Sequence, residues 1–165
     1  MRICIAGTVN DSIVDGPGFR YTVFTQGCMH DCAGCHNPQT HDPKGGKEAD
    51  TDAMIAEMRD NPLLDGLTLS GGEPFLQPEA SRVLAEGAHA LGLNVWIYSG
   101  FTFEELMGMQ DPAVRSLLEA CDVLIDGRFD INNRTLELRF RGSKNQRLID
   151  IGRSLQAGKA MEHPL

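Results

Sequence analysis

The sequence predicts an α/β fold, an open partial β/α barrel with mostly parallel strands. Three observations lead there. Strand-like and helix-like segments alternate along the chain, the signature of a parallel sheet. Strand after strand ends in a glycine, a serine or an acid, at Gly27, Ser70-Gly71-Gly72, Ser99-Gly100 and Asp126-Gly127. In α/β folds the carboxyl ends of the strands carry the site. At 165 residues the chain is too short for a closed eightfold barrel, which takes about 250.

Tyr21–Gln26 is rich in β-branched and aromatic residues and stops at Gly27, so it reads as a strand. The stretch 36–49 is polar, with two prolines and a Gly-Gly, and reads as a loop. Asp50 or Thr51 caps a helix over Asp52–Arg59. Gly66–Ser70 is a short strand. Pro78–Leu91 has its apolar residues near helical spacing, with Pro78 suited to a first turn and Gly92 to a C-terminal cap. Leu93–Tyr98 is a strand, Thr102 caps a short helix, and Asp111-Pro112 opens another over Val114–Ala120. Cys121–Ile125 and Gln146–Ile151 are the last strands. The chain is expected to form one domain over 1–165, with a loose tail over 152–165.

The composition is that of an ordinary globular protein, 41% hydrophobic and 23% charged. A net charge of −8 argues against a nucleic-acid partner. No apolar run approaches the roughly 20 residues of a membrane span, and no signal peptide is read at the start. The expectation is a cytoplasmic protein that binds neither nucleic acid nor membrane. The charge is uneven: residues 1–127 carry a net −12 and residues 128–165 a net +4. The basic end, with Arg139, Arg141 and Lys144, is either a solvated surface or a docking patch for an acidic protein.

Cys28, Cys32 and Cys35 form a C-x3-C-x2-C run. Bunched thiols fit a metal site in a reducing compartment better than a disulfide framework. Thiolates select iron–sulfur clusters, zinc or copper(I). A zinc site needs a fourth ligand, which His30, His36 or His41 would supply. A four-iron cluster held by three cysteines keeps one iron open to a small molecule. Cys4 and Cys121 stand alone and read as small core residues.

Gly71-Gly72-Glu73-Pro74 ends a strand. Paired glycines let a ligand approach the backbone without a Cβ in the way. Glu73 is placed to face an ammonium group. Two other stretches stand out. Asp15-Gly-Pro-Gly-Phe-Arg20 is a turn that either only turns or also presents Arg20 to the site. Arg141-Gly-Ser-Lys-Asn-Gln146 is either a polar surface loop or a contact with cofactor or partner.

Together the cysteine run and Gly-Gly-Glu-Pro resemble the radical S-adenosylmethionine enzymes. Within them, residues 15–20, 27–37, 69–74 and 141–146 resemble the activating proteins of anaerobic ribonucleoside-triphosphate reductase. Gly34, where many superfamily members place an aromatic residue, is typical of those activators and speaks against a pyruvate formate-lyase activator. The resemblance implies a 4Fe–4S cluster on Cys28, Cys32 and Cys35, with S-adenosyl-L-methionine on the open iron. It implies a cofactor pocket of Gly34, Cys35, His36, Gly71, Gly72 and Glu73, joined by Ser99 and Asp126 at later strand ends. The implied partners are the reductase, on which a glycyl radical is raised, and reduced flavodoxin or a similar electron donor. Activation of another glycyl-radical protein and a non-catalytic zinc-binding domain are the competing possibilities.

Overall fold

The computed structural model describes residues 1–30, 32–35 and 37–164. One sheet of seven strands takes in β1 (Arg2–Ser12), β2 (Arg20–Thr25), β3 (Lys47–Asp50), β4 (Gly66–Gly71), β5 (Asn94–Tyr98), β6 (Val123–Asp126) and β7 (Arg147–Asp150). Their order across the sheet is β3-β1-β2-β4-β5-β6-β7. The central β2, β4, β5 and β6 run parallel. β1 and β7 run against them, and β3, antiparallel to β1, shares the direction of the centre. The sheet is open, as the short chain predicts.

Helices α1 (Thr51–Arg59), α2 (Pro78–Ala90), α3 (Phe103–Gly108), α4 (Pro112–Glu119) and α5 (Ile151–Ala157) complete the fold. Alternate strand residues pack into the main core: Tyr21 and Val23, Leu67 and Leu69, Val95 and Ile97, Leu124, Ile149. They meet Met54 and Met58 of α1, Leu84 and Ala88 of α2, Leu106 of α3, and Leu117 and Leu118 of α4. Side chains on a strand alternate between faces, so Trp96, Val123, Ile125 and Leu148 turn the other way. They form a second, smaller cluster with Tyr98 and Phe140. That second face is the one that leads to the site.

Arg20 opens β2 beside Gly66 and Asn94, at the end of the sheet opposite the glycine-rich turns. It is fully buried. Its Nε donates to Thr68 Oγ1 at 2.7 Å, and its Nη groups donate to Pro17 O, Leu67 O and Asn94 Oδ1 at 2.7–3.0 Å. The guanidinium lies 5.6 Å from the Trp96 ring centroid. Burial pulls its pKa down to about 10, a cost that this set of acceptors offsets. Arg20 therefore plugs the amino ends of the strands and is not presented to the site.

Three features depart from the sequence expectations. No strand range is read from the sequence before Tyr21, yet β1 covers Arg2–Ser12. Ile3 and Ile5 are buried, but Gly7, Asn10 and Asp11 resist strand propensity. Pairing with β2, with irregularities after Ile5 and Val9, holds that outer half. β3 falls inside the stretch expected as loop. Its four residues, three of them charged, are ordered by pairing with Arg2–Ile5, and a charged edge strand of this kind resists further pairing. Residues 152–165 were expected as a loose tail, yet α5 begins this stretch. Asp150 caps it by accepting from Arg153 N at 3.0 Å, Gly158 closes it at φ 71°, and Ile151 is buried. Asp150 N then donates to Met161 O and His163 N to Leu148 O, tying the chain end to β7.

Candidate functional site

The site lies at the carboxyl ends of the parallel strands. The ends of β2 and β4 are locked by main-chain bonds. Gly72 N donates to Thr25 O and Glu73 N to Gly27 O, each at 2.8 Å. A Cβ on Gly71, which has φ 85°, would sit 2.6 Å from Phe24 Cα, and one on Gly72 would sit 2.3 Å from Gly27 O. Only glycines allow the two segments this approach. The cysteine loop and the Gly-Gly turn are thus in direct backbone contact.

A cavity of about 670 Å³ opens there, within the usual size range of small-molecule sites. Cys28, His30, Cys32 and Cys35 line it from the loop after β2. Ser70, Gly71 and Gly72 line it from β4, and Tyr98, Ser99 and Gly100 from β5. Val14 and Asp15 enter from the turn before β2. Phe129, Leu136, Phe140 and Arg141 enter from a strap over residues 127–146.

All five cysteines are free thiols. Cys35 N donates to Cys32 O at 3.1 Å, and Asn37 N points to Cys35 Sγ at 3.4 Å. Burial pushes the Cys28 thiol above its ordinary pKa. Among the described residues, no three His, Cys, Asp or Glu side chains converge as they would on a single ion. Three soft thiols lining one cavity are a donor set that fits a 4Fe–4S group. Cys4 does not line the cavity, and its Sγ donates to Gly45 O. Cys121 is buried in the core, as expected of it.

The other expected pocket residues divide. Gly71, Gly72, Cys35 and Ser99 line the cavity. Gly34 does not, and its φ of 74° places it under the strap, where a Cβ would come within 2.8 Å of Ile131 and 3.4 Å of Phe129. His36 lies outside the described residues. Glu73 does not face an open space. It is fully buried, and its Oε1 meets His30 Nε2 at 2.6 Å, Ser99 Oγ at 2.9 Å and Gly100 N at 2.8 Å. Its Oε2 accepts from Phe75 N at 3.1 Å. Four protein donors occupy the carboxylate expected to meet an ammonium. Asp126, likewise expected in the pocket, is buried and turned away, accepting from Phe103 N at the start of α3 and from Arg147. Short polar strand-end residues are equally suited to capping the next element, and the sequence does not separate the two uses.

The sequence did not mark Tyr98 or residues 127–140 of the strap as parts of the site. A cofactor contact was one of its two readings of 141–146, and Arg141, Gly142 and Gln146 do line the cavity. Tyr98 is the last residue of β5, and its position at a strand end was the available signal. Its phenol is pushed above its ordinary pKa by burial. The strap has no periodicity to announce it. Its order comes from the polar stretch 141–146. Gln146 Oε1 accepts from Gly142 N and Ser143 N while its Nε2 donates to Gly127 O. Asn145 Nδ2 donates to Arg128 O, and Ser143 Oγ accepts from Asp130 N. These bonds clasp the two ends of the strap together. Phe140, at φ 62°, sets its ring edge-on to Trp96 at 5.4 Å. Among the strap's cations, Arg128 pairs with Glu105, whereas Arg134, Arg139 and Lys144 stand exposed.

The class of protein is given by its family, one of domains that carry a single iron–sulfur cluster. The 4Fe–4S single cluster domain family matches residues 14–149. The chain is 35% identical over 142 residues to the anaerobic ribonucleoside-triphosphate reductase-activating protein of Vibrio cholerae, covering 81% of this chain and 89% of that protein. It is 34% identical over 146 residues to the protein of that name from Escherichia coli K12, covering 81% and 90%. It is 33% identical over 141 residues to that of Enterobacteria phage T4, covering 82% and 86%. The chain belongs to this family of reductase-activating 4Fe–4S proteins. Its fold is also similar to the crystal structure of QueE from Escherichia coli, with a TM-score of 0.50, 13% identity, and 76% of this chain and 70% of that one covered. No helix among the described residues is long and apolar enough to cross a membrane.

Proposed function

We propose that Cys28, Cys32 and Cys35 hold a 4Fe–4S cluster with one iron left to S-adenosyl-L-methionine, and that the chain activates anaerobic ribonucleoside-triphosphate reductase. The observation that carries this is the shared cavity, in which the three thiols and the Gly71-Gly72 turn face one space. Held on those three cysteines, the group would supply the one-electron reductive cleavage of S-adenosyl-L-methionine, with a hydrogen drawn from a glycine Cα of the reductase, so that methionine, 5′-deoxyadenosine and a glycyl radical would result. Every other contribution is the protein's own. The Gly-Gly turn keeps side chains out of the ligand's path. Ser99 and Gly100 help to hold the Glu73 carboxylate that braces the cysteine loop. The strap, with Phe129 and Phe140, walls the cavity with apolar rings and limits water, as radical chemistry requires.

The substrate in this reading is a protein loop, and an acidic chain with a basic strap suits two protein partners. Arg134, Arg139, Arg141 and Lys144 form a rim on which an acidic electron donor such as flavodoxin docks. A reducing, cytoplasmic setting keeps the thiols available, and residues 1–165 work as one domain on one sheet.

The test is anaerobic reconstitution with iron and sulfide, followed by incubation with the reductase, a reductant and S-adenosyl-L-methionine. The expected result is a glycyl-radical signal on the reductase by electron paramagnetic resonance, with 5′-deoxyadenosine formed. A protein that holds zinc, or that forms no 5′-deoxyadenosine, overturns the proposal.

A further inference from the structure

His30 sits between two of the cysteines, yet its ring is firmly housed. Its side chain is 3% exposed. Nε2 lies 2.6 Å from Glu73 Oε1. That oxygen already accepts from Ser99 and Gly100, so the bond runs from the His30 Nε2–H to the carboxylate. Phe101 meets the imidazole edge-on at 4.6 Å between centroids. Gly100 makes the remaining room, since a Cβ there would lie 2.3 Å from the His30 Cδ2 and 2.5 Å from its Nε2. The socket is therefore built from β4's turn and β5's turn together.

The other ring nitrogen, Nδ1, is buried and has no hydrogen-bond partner among the described residues. Burying a polar atom in this way is unfavourable. A leucine or methionine would fill the socket without that cost, so the feature that favours an imidazole here is its bond to Glu73. An aromatic ring, a glycine and a buried carboxylate converge on one side chain of the loop that carries the thiols.

We propose that His30 is a positioning residue. Its ring pins the cysteine loop to the Gly-Gly-Glu-Pro turn, so that the three thiolates and the S-adenosyl-L-methionine site keep one fixed relation. The pin acts through Glu73. This inference rests on the reading of the cavity as a cluster and S-adenosyl-L-methionine site.

The test uses reconstituted, reduced wild-type, His30→Ala, His30→Gln and Gly100→Ala proteins. Each is titrated with S-adenosyl-L-methionine while the cluster's electron paramagnetic resonance spectrum is followed, and iron content is measured alongside. A wild-type spectrum that does not respond overturns the underlying reading. Given a wild-type response, His30→Ala is expected to need roughly 10- to 100-fold more ligand, the usual loss when a partner behind a metal ligand is removed. Gly100→Ala should shift the same way, because its Cβ displaces the ring. His30→Gln, which keeps an N–H donor for Glu73, should recover most of the affinity. If His30→Ala fails to hold iron, the other two variants decide. A wild-type titration in His30→Ala or Gly100→Ala, or a glutamine variant as impaired as the alanine one, overturns the pin.

Discussion

Arg147, on the antiparallel edge strand β7, grips Asp126 at the end of β6 with two bonds, Nε to Oδ1 at 3.0 Å and Nη2 to Oδ2 at 2.5 Å. The same guanidinium reaches Glu104 on α3 at 2.6 Å. Asp126 is 1% exposed at its side chain, whereas Arg147 is 33% exposed. Asp126→Ala should therefore destabilise the iron-free protein by roughly 2 kcal/mol. That is less than the ~3–5 kcal/mol of a wholly buried pair, because Arg147 keeps water and Glu104. Urea unfolding measures it. Stability equal to wild type would show that the pair is idle.

Gln146 holds the strap closed through three bonds to Gly142, Ser143 and Gly127. Gln146→Ala should leave the sheet intact and loosen residues 127–146. Trypsin should then cut after Arg139, Arg141 or Lys144 several-fold faster, while far-ultraviolet circular dichroism stays unchanged. Equal cutting rates would mean that the clasp does not govern the strap.

Both tyrosines of the chain carry phenols pushed above the ordinary value of about 10. Burial is the main cause for each, reinforced by the bond to Glu57 at Tyr21 and by Asp15 near Tyr98. Below pH ~10 each phenol is neutral in the folded and unfolded chain alike. Above it only the unfolded chain ionises, so this contribution to stability is lost as pH rises. Phenolate absorbance should appear only with unfolding. Its appearance in a folded protein near pH 10 would contradict the burial.

Alanine at Cys28, Cys32 or Cys35 should abolish cleavage of S-adenosyl-L-methionine. Alanine at Cys4 should leave iron content unchanged, since that residue lies outside the cavity. Cys121→Ala should keep the iron and lose about 1 kcal/mol as a core truncation. Iron analysis and visible absorption distinguish the sets.

The central strands were readable because β2, β4, β5 and β6 bury both faces and run, at or just past their ends, into glycine, serine or an acid. The cysteine run and Gly71-Gly72 were readable because their chemistry is written in residue type and spacing. β7 was found, but its direction was set by what precedes it. Residues 127–146 hold no crossover helix, and without one the chain returns antiparallel. Glu73 and Asp126, expected in the pocket, lie outside the cavity lining for a related reason. A carboxylate at a strand end serves a ligand or a neighbouring turn according to which donors the folded chain brings near. His30 and Ser99 reach Glu73 across 43 and 26 residues of sequence.

The main-chain bonds from Gly72 to Thr25 and from Glu73 to Gly27 carry an engineering consequence. Each turn serves as the other's mould, with no side chain between to absorb a change of length. A one-residue insertion in either would unseat both. Any attempt to graft this site onto another sheet must move the two turns as one piece, together with the pair of strands that sets their register.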